Sequence, residues 1–514
     1  MKKLPIGIQS FEKIRTDNFY YIDKTPFVKK LVEEGGGYFF LSRPRRFGKS
    51  LFLDTLRQAF LGKRDLFQGL FLEKNWDWSK KYPVIYISFG AGVIRSRGEL
   101  ELKIETVLEK NAHFYQEKLS KPLISDRFEE LILRLREKYN QRTVVLIDEY
   151  DKPILDNIDK PEVAVEIREE LKNFYSVLKD ADPYLKFCFL TGVTKFSKVS
   201  IFSGLNNLKD ITLDPSYATI CGYTQKEFEE TFKDRLEGVD LSEVARWYNS
   251  YSFLGEPVYN PFDILLFLDL KDFRPFWFET GTPTFLIKLL LENNYFIPEL
   301  EHLQAGDEII ESFDIESLSI ETLLFQTGYL TIESVEKKKG FSIYTLRFPN
   351  LEVKSAFTRH FLDYLIRKPS QRTKTLINLY RIFQKNDLNG LKEIFYTFFA
   401  SIPYDWYRKT ELNKYEGFYA SVFYAYFSAL GLDVKVEDAT NQGRLDMAVL
   451  FDGRCYLFEF KLVENKPEGK ALSQLKEKGY AEKYKNKCRE IYLIGVEFSK
   501  KEKNIVNFEW EKAI

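Results

Sequence analysis

Cysteine and histidine are scarce in this chain, whose 514 residues include four cysteines and three histidines. The cysteines lie far apart and form no CxxC pair, which argues against a disulfide framework or a zinc ribbon and favours a reducing compartment. The scattered histidines leave no histidine-based metal cluster and no Ser-His or Cys-His nucleophile pair. Any metal is therefore expected to bind oxygen ligands.

An excess of one charge and a long apolar run are also missing. The 76 Lys and Arg residues balance 76 Asp and Glu residues, so nucleic acid would have to bind at a local basic patch. The longest apolar runs, such as residues 422–432, are too short to span a bilayer, and the first residues lack the apolar core of a signal peptide. These absences predict a soluble, cytoplasmic protein without a membrane partner.

Hydrophobic residues are abundant enough to form several packed cores, since they make up 44% of the chain and aromatic residues make up 16%. The length predicts about three or four domains. From changes in the alternation of strand-like and helical patterns, and from Pro and Gly punctuation at Asn260-Pro261 and residues 279–283, we expect four regions. These are an α/β domain at 1–215, a helical lid at 216–285, a winged-helix-like region at 286–370 and, after a linker near 367–372, a second α/β domain at 371–514.

The first domain alternates five short apolar runs with helical patterns, which predicts a parallel sheet covered by helices. The runs are residues 38–41, 83–89, 143–147, 187–191 and 211–213. The first run leads into a loop ending Gly48-Lys49-Ser50, followed by a helical apolar pattern. A phosphate-binding loop needs N–H groups at a helix N-terminus, a lysine for the β- and γ-phosphates and a hydroxyl for Mg²⁺.

These three residues supply the second half of that motif, whereas Arg43 stands where the GxxxxGK[ST] pattern has its first glycine. The alternative is a chance Gly-Lys-Ser sequence at a helix start.

A buried run that ends in Asp148 and Glu149 favours the phosphate loop. We expect Asp148 to bind Mg²⁺ through water and Glu149 to polarise the water that attacks the γ-phosphate, the alternative being a buried strand with a polar end. With run 83–89 inserted between loop and acidic pair, the predicted strand order is 5-1-4-3-2.

Other polar residues near the loop are further candidates for phosphate contacts. Thr191 ends the fourth run, where it or the nearby Thr194-Lys195 would sense the γ-phosphate, although threonines are common at strand ends. Arg45 and Arg46 are candidates for contacts with phosphate, nucleic acid or a neighbouring subunit. A solvated loop face is the alternative, and the sequence does not choose among these.

The second α/β domain contains a strand pair that predicts another site. Asp452-Gly453 lies between two apolar runs, which predicts a two-residue hairpin turn. In that register Asp446 lies opposite Glu459, with Cβ atoms about 4.5–5.5 Å apart, and Lys461 projects on the same face. Opposed like charges destabilise a sheet, so folding alone does not explain this pair. Two such carboxylates can hold Mg²⁺ or Mn²⁺, while the lysine offsets charge or positions the nucleophile.

Glu416 is a further carboxylate of interest upstream of this hairpin. It opens a helical pattern whose same-face positions are apolar, so we expect its side chain to point into a site. The alternative is a half-exposed hairpin with solvated acids and a helix-starting glutamate favoured by the helix dipole.

Asp446 followed by Glu459-Phe460-Lys461, with the upstream helical Glu416, resembles the active site of PD-(D/E)xK nucleases, and residues 443–445 fit its usual lead-in. Gln474, followed by residues 478–480, is similar to the accessory Gln/Tyr helix of many such nucleases. The whole chain resembles the bacterial predicted AAA-ATPase family fused to a C-terminal nuclease domain of this kind. The segments that carry this resemblance are residues 21–25, 43–50, 146–151, 191–197, 259–261 and 348–350.

The resemblance implies an α/β protein with an N-terminal P-loop, AAA-like parallel sheet and a C-terminal restriction-endonuclease-like domain. It implies ATP and Mg²⁺ as cofactors, with Mn²⁺ as an alternative in the nuclease site. The partners that it implies are nucleic acid, with DNA favoured over RNA, and a second copy of the chain. Nucleotide is expected at Arg45, Arg46, Phe47, Gly48, Lys49, Ser50, Asp148 and Thr191, with Mg²⁺ at Ser50 and Asp148. The expected catalytic residues are Glu149, Glu416, Asp446, Glu459 and Lys461, with the nuclease metal at Asp446 and Glu459.

Two functions follow from these expectations. The first is an ATP-dependent or ATP-gated, Mg²⁺-dependent nuclease, with a role in phage defence or mobile-element biology. The second is an ATP-switched regulatory protein that binds nucleic acid with little or no hydrolysis or cleavage. Under the second hypothesis, Arg43 in the phosphate loop marks slow or absent hydrolysis.

Overall fold

The computed structural model describes residues 1–195, 201–202, 205, 207–277, 284–310, 319–366, 369–402, 416–440 and 443–514. Features expected at residues 196–197, 279–283 and 367–368 lie outside these ranges. The rest of the predicted linker, residues 369–372, is helical, so the linker prediction is wrong there. The chain forms two compact units, Met1–Phe276 with Gln304–Thr345 and Trp277–Leu303 with Leu346–Ile514. The finer division into four domains stays a prediction.

Helices and strands are numbered separately, in chain order. The helices are α1 (Phe11–Thr16), α2 (Thr25–Glu33), α3 (Lys49–Phe60), α4 (Phe71–Asn75), α5 (Arg97–Phe114), α6 (Ile124–Tyr139), α7 (Lys152–Leu155), α8 (Pro161–Asp180), α9 (Gln225–Thr231), α10 (Leu241–Tyr248), α11 (Pro261–Leu270), α12 (Thr284–Glu292), α13 (Ile320–Thr327), α14 (Leu351–Ile366), α15 (Pro369–Lys385), α16 (Leu388–Ser401), α17 (Glu416–Ala429) and α18 (Lys470–Glu477). The strands are β1 (Tyr38–Ser42), β2 (Val84–Ser88), β3 (Thr143–Asp148), β4 (Leu185–Gly192), β5 (Lys209–Asp210), β6 (Leu303–Ala305), β7 (Thr331–Lys338), β8 (Phe341–Arg347), β9 (Asp433–Thr440), β10 (Gly443–Phe451), β11 (Arg454–Val463), β12 (Glu490–Ser499) and β13 (Asn504–Lys512).

A five-stranded parallel sheet in the order β2-β3-β4-β1-β5 forms the centre of the first unit. This confirms the predicted order 5-1-4-3-2. Strands β1 and β3 are buried along their whole length, as expected for parallel strands covered by helices, which is why they appear as continuous apolar runs. Helices α3, α5 and α6 pack against the sheet.

The fifth strand lies slightly earlier than predicted, at Lys209–Asp210 instead of 211–213. The Asp210 carboxylate accepts the N–H of Thr212 at 2.9 Å. This local turn ends the strand, because a side-chain oxygen replaces the neighbouring strand as the partner of the backbone. An apolar run by itself does not reveal such a turn.

The described residues between 207 and 277 contain the helices α9, α10 and α11, each of which begins at a polar cap. Thr224 and Glu227 form a reciprocal capping box at α9, and the Asn260 side chain accepts the N–H of Phe262 at the start of α11. Pro261 occupies the first position of α11, where a missing N–H costs nothing. The Asn260-Pro261 punctuation therefore marks a helix start. A smaller sheet with the order β6-β8-β7 has most of its residues in the first unit.

The second unit contains a mixed sheet in the order β13-β12-β11-β10-β9, in which only β11 and β12 run parallel. Helix α17 packs against this sheet and against α14. Its residues from Phe418 to Ala429 are buried, which is why its sequence is apolar on every face. Within the described ranges, no helix is both long and apolar enough to cross a membrane.

Cys455 on β11 and Cys488 before β12 form a disulfide, with Cα atoms 5.8 Å apart. The cysteine spacing argued against a disulfide framework, and it did not reveal this one pair. Parallel pairing places Arg454 opposite Glu490, and this register brings together two cysteines separated by 33 positions. Their spacing along the chain shows no sign of that proximity.

Candidate functional site

The phosphate loop predicted at residues 42–50 connects β1 to α3. Gly48 precedes the helix with a left-handed φ of 88°, and the first helical hydrogen bond runs from the N–H of Phe52 to its carbonyl. The N–H groups before Phe52 therefore lie at the open end of the helix. Arg46 also has a positive φ, 69°. Such backbone turns direct successive N–H groups into a concavity that suits an anion.

Lys49 lies inside this loop and is only 7% exposed. Its ammonium donates to the carbonyls of Arg43 and Pro44 at 2.8 and 2.9 Å. Burial lowers the pKa of Lys49, while the carboxylates of Asp148 and Glu149 favour its charged form. The lysine and the acidic pair thus form one electrostatic unit.

Arg43 has a structural role at the position of the missing glycine. Its guanidinium donates to the carbonyls of Ser42, Thr212 and Tyr217 at 3.0, 2.6 and 3.2 Å. It also lies over the ring of Phe253, 3.8 Å from the centroid. The side chain is 1% exposed, so it fastens the base of the loop to the segment after β5.

The three other loop residues predicted to contact nucleotide, Arg45, Arg46 and Phe47, differ in their exposure and contacts. The Phe47 ring is buried and meets the ring of Tyr251 edge-on, with centroids 4.7 Å apart. The Arg46 guanidinium lies 3.7 Å over the ring of Phe262, and Arg45 is exposed. The side chain of Phe47 therefore belongs to the core, and phosphate contacts by Arg45 and Arg46 stay predictions.

Asp148 and Glu149 lie at the carboxyl end of β3. Asp148 accepts the hydroxyl of Tyr86 through Oδ2 at 3.3 Å, whereas its buried Oδ1 has no hydrogen-bond partner. Glu149 has a left-handed φ of 54°, and its Oε2 lies 3.2 Å from the point that a Cβ on Gly90 would occupy. Burial raises the pKa of both carboxyl groups, and Asp148 raises that of Glu149 further.

Thr191 lies next to this pair, because β4 pairs Leu190 with Ile147. The Thr191 hydroxyl is buried without a hydrogen-bond partner, so the structure places one predicted sensor at the acidic end of the sheet. The other candidates have internal partners. Lys195 pairs with Asp210 at 2.9 Å, and Thr194 donates its hydroxyl to Asp151 at 2.8 Å.

Asp151 is a residue of this site that sequence reasoning missed. Its Oδ2 accepts the N–H groups of Val193 and Thr194 at 3.1 and 2.7 Å, besides the Thr194 hydroxyl. A Cβ on Gly192 would lie 2.6 Å from Asp151 Oδ1, so glycine lets the carboxylate approach. These contacts hold the turn after β3 against the end of β4. The only signal in the sequence is a third acid shortly after the acidic pair, which resembles solvated surface.

The second candidate site lies on the β10–β11 hairpin. Asp452 and Gly453 have φ values of 48° and 74°, as a two-residue type I′ turn requires. Backbone pairs run from Phe451–Arg454 to Met447–Phe458 in the predicted register. The turn residues therefore set this register, as the sequence predicted.

The hairpin becomes irregular beyond Met447. Asp446 accepts the N–H of Phe460 through its side-chain Oδ2 at 2.8 Å, so a carboxylate replaces a ladder carbonyl. On the other side of β10, the ladder passes from Leu445 to Met447. Glu437 on β9, which this register places beside Asp446, has a left-handed φ of 50°. This irregularity turns the Asp446 carboxylate toward β11.

The structure brings together four of the predicted nuclease residues. The Lys461 ammonium donates to Glu459 Oε1 at 2.7 Å, and Glu416 accepts the N–H of Leu462 at 2.8 Å. Asp446 accepts the N–H of Phe460. The N–H groups on either side of Lys461 thus each hold one carboxylate. Glu459 itself is 0% exposed.

Burial and mutual repulsion raise the pKa values of these carboxyl groups. Burial raises the pKa of Asp446 to about 6, with Glu416 adding to the shift. Burial, followed by the Asp446 charge, raises the pKa of Glu459 to about 7. Burial opposes the charge on Lys461, but its bond to Glu459 and the other carboxylates raise its pKa overall. The ammonium therefore stays charged between acids that are only partly ionised near neutral pH.

The accessory helix suggested by the resemblance is α18. Gln474 donates its side-chain amide to Glu459 Oε1, and the Tyr480 hydroxyl donates to the carbonyl of Arg444 at 3.0 Å. Gln474 therefore directly contacts the carboxylate cluster, which consists of Glu416, Asp446 and Glu459. Glu497 on β12, which sequence reasoning also missed, anchors this helix by accepting the N–H of Lys470 at 2.7 Å. A lone glutamate within the apolar run of β12 is the signal that would have found it.

The carboxylate cluster has the donor atoms that a hard divalent cation prefers. Glu459 Oε2 is buried without a hydrogen-bond partner, and Asp446 lies beside it. Within the part of the chain that the structure describes, no group of three or more His, Cys, Asp or Glu side chains is arranged around a common metal position. The donor atoms that the site offers to such a cation are Glu459 Oε2 and the Asp446 carboxylate.

Comparisons with known proteins agree with both parts of this description. The family model for "Predicted AAA-ATPase" matches residues 5–202. The family model for the PD-(D/E)XK nuclease superfamily matches residues 414–508. An uncharacterized protein from the vnfD 5′ region of Azotobacter chroococcum mcd 1 is 52% identical over 508 residues, covering 99% of this chain and 98% of the relative.

Proposed function

Because the chain belongs to the predicted AAA-ATPase family and carries a C-terminal PD-(D/E)XK nuclease domain, we propose that it is an ATP-dependent or ATP-gated, Mg²⁺-dependent nuclease. Its substrate is nucleic acid, with DNA favoured. The observation that carries this proposal is the cluster of Glu416, Asp446 and Glu459 around the single ammonium of Lys461. Three carboxyl groups placed together, with Glu459 fully buried, destabilise a fold, so a role in binding or catalysis is the reason to keep them.

In this function Asp446 and Glu459 hold the metal, Mg²⁺ or Mn²⁺. The bound metal supplies Lewis-acid stabilisation of the phosphate and a more acidic water. Lys461, charged and 2.7 Å from Glu459, offsets the negative charge of the scissile phosphate. Gln474 orients Glu459 through its amide, and Glu416 keeps β11 in place by binding the N–H of Leu462.

ATP is assigned to the loop before α3. Gly48 and the following N–H groups face the phosphates, Lys49 reaches the β- and γ-phosphates, and Ser50 with Asp148 holds Mg²⁺. Asp148 Oδ1, buried and without a hydrogen-bond partner, supports this role. Glu149, whose pKa is raised by burial, takes a proton from the attacking water.

The test is cleavage of labelled single- and double-stranded DNA and RNA, with Mg²⁺ or Mn²⁺ and with or without ATP. We expect Lys49→Ala to abolish ATP binding. We expect Asp446→Ala to abolish cleavage and to leave ATP hydrolysis at the parental rate. Cleavage by Asp446→Ala at the parental rate would overturn the nuclease assignment. A plaque assay that compares cells with the parent and with Asp446→Ala tests the proposed role in phage defence.

A second function, an ATP-dependent switch that binds nucleic acid without cutting it, is favoured by one observation. Lys49 is held by the loop's own carbonyls, and Arg43 fastens that loop, an arrangement suited to binding ATP and hydrolysing it slowly. Salt-dependent binding without cleavage on any substrate is its signature. Mg²⁺-dependent cleavage would exclude it.

A further inference from the structure

Helix α18 is fixed on the nuclease sheet at two points. The buried Glu497 accepts the N–H groups of Glu468 and Lys470, both at 2.7 Å. At Gly495, a Cβ would lie 2.3 Å from the backbone nitrogen of Leu472, so the helix backbone packs directly against β12. Side chains on α18 therefore have defined positions relative to the site.

One face of this helix starts at the carboxylate cluster. Gln474 contacts Glu459 from this face. Lys478 follows four residues later and is still helical, because its N–H bonds to the Gln474 carbonyl at 3.0 Å. Residues four apart lie on the same side of a helix, about 5.4 Å along its axis. Lys478 is therefore one turn away from the residue that touches Glu459.

The side chain of Lys478 also reaches the strand that carries Asp446. Its Cδ lies 3.9 Å from the point that a Cβ on Gly443 would occupy, and the Tyr480 hydroxyl lies 3.0 Å from the same point. Gly443 begins β10, three positions before Asp446. Lys478, at the end of α18, therefore also lies close to the start of β10, the strand that carries Asp446.

Within the described ranges, Lys478 forms no ion pair, whereas four other lysines in or near α18 do. The side chain of Lys478 is exposed. The four ion pairs are Lys470 with Glu468, Lys476 with Glu511, Lys483 with Asp438 and Lys485 with Glu482. Lys478 differs from Lys466 and Lys487, which also form no ion pair within the described ranges, in lying one helical turn from Gln474. A cation beside an acidic site attracts the backbone of a nucleic acid and offsets repulsion by the carboxylates.

We propose that the α18 face from Gln474 to Lys478 is a nucleic-acid-binding surface, on which Lys478 binds the backbone phosphate next to the one held at the carboxylate cluster. This inference rests on the proposed nuclease function. A lysine ammonium contacts phosphate as a point charge, so this contact does not depend on base sequence.

The test is binding of a labelled DNA oligonucleotide to the full chain, measured by fluorescence anisotropy over a range of salt concentrations. The chain carries Asp446→Asn to prevent cleavage. Lys478→Gln is compared with Lys476→Gln, which removes a lysine from the same helix that is already paired with Glu511. We expect Lys478→Gln to weaken binding about threefold to tenfold and to reduce the slope of log affinity against log salt by about 1. Lys476→Gln should change neither, and Lys478→Arg should restore both.

Failure of this inference is distinguishable from failure of the proposed function. Equal salt slopes for the two glutamine variants would overturn the role of Lys478, whether or not the parent cleaves. If the parent does not cleave but Lys478→Gln still lowers the slope, the surface stands and the nuclease assignment falls. Absence of binding to any nucleic acid would overturn both.

Discussion

At the scale of single residues, the Asp151 carboxylate accepts hydrogen bonds from three donor groups, the N–H of Val193 and the N–H and hydroxyl of Thr194, and these bonds fix the turn that carries Glu149. In Asp151→Asn an amide group faces those donors, so we expect the turn to shift. ATP hydrolysis should lose about 10- to 100-fold in kcat, because small displacements of a catalytic group are costly. The KM for ATP should stay close to its parental value.

Asp240 provides a matched control for this prediction. It also accepts two N–H groups and one hydroxyl, from Ser242 and Glu243, but it caps α10. Asp240→Asn should leave kcat unchanged. Equal kcat values for Asp151→Asn and the parent, measured by phosphate release, would contradict the positioning role.

A second prediction at this scale concerns pH and the paired carboxyl groups of the hairpin. Their pKa values of about 6 for Asp446 and about 7 for Glu459 mean that protons compete with metal below neutral pH. We expect Mg²⁺ binding, measured by calorimetry, to weaken at least about tenfold between pH 8 and pH 6. Affinity that is constant over this range would contradict the raised values.

The same shift has a consequence for stability. The raised pKa of Glu459 means that the folded state binds its proton more tightly than the unfolded state, so stability is lost as pH rises from about 4.5 to about 7. Without metal, Glu459→Gln should therefore match the parent at pH 4, below both pKa values. At pH 8 it should exceed the parent's free energy of unfolding by on the order of 1–3 kcal/mol, as urea unfolding would measure. A variant less stable than the parent at pH 8 would contradict this prediction.

At the scale of elements, the phosphate loop depends on Arg43 for its attachment to the segment after β5. Arg43→Ala leaves the carbonyls of Thr212 and Tyr217 without their donor and removes the cation over Phe253. We expect a loss of about 2–4 kcal/mol in the stability of the first unit, measured by urea unfolding. Arg45→Ala, at an exposed position of the same loop, should change stability by less than about 0.5 kcal/mol.

Arg43→Gly separates two interpretations of this loop. It restores the glycine of the common phosphate-loop pattern but removes the same contacts. Faster ATP hydrolysis with unchanged stability would show that the arginine is only a replaced glycine. We expect loss of stability instead.

The elements themselves follow closely from local sequence. Continuous apolar runs predicted β1, β3 and β4, and Asp452-Gly453 fixed the hairpin register because a type I′ turn needs positive φ at both positions. The register failed only at Asp446, where the carboxylate binds the N–H of Phe460. The left-handed residue Glu437 on the adjacent strand accompanies that change, and a hairpin's own sequence contains no information about its other neighbour.

At the scale of the whole molecule, the chain has two compact units, each with its own sheet. We expect calorimetry of the full chain to resolve two unfolding transitions. ATP with Mg²⁺ at about 100 times its Kd should stabilise only the transition of the first unit, by about 2.7 kcal/mol. Lys49→Ala should abolish that shift. A single transition, shifted as a whole by ATP, would show instead that the two units unfold together.

The order of the first sheet and the residue types of both candidate sites were readable from the amino-acid sequence alone. Gly48, Lys49, Asp148 and the hairpin carboxylates are recognisable because their expected roles need particular residue types at the ends of apolar runs. The family resemblance added Gln474, whose side-chain amide contacts Glu459 in the structure.

The distant residues that support these sites became visible only through tertiary packing. Asp151 against the end of β4, Glu497 under α18 and the Cys455–Cys488 disulfide join segments that meet through sheet pairing. In the sequence, Arg43 is only a departure from the phosphate-loop pattern. The tertiary structure shows that it is buried and donates a hydrogen bond to the distant carbonyl of Thr212. Local patterns record which side chains are apolar or charged, but the partner of a buried polar group is set by the packing of elements far apart in the chain.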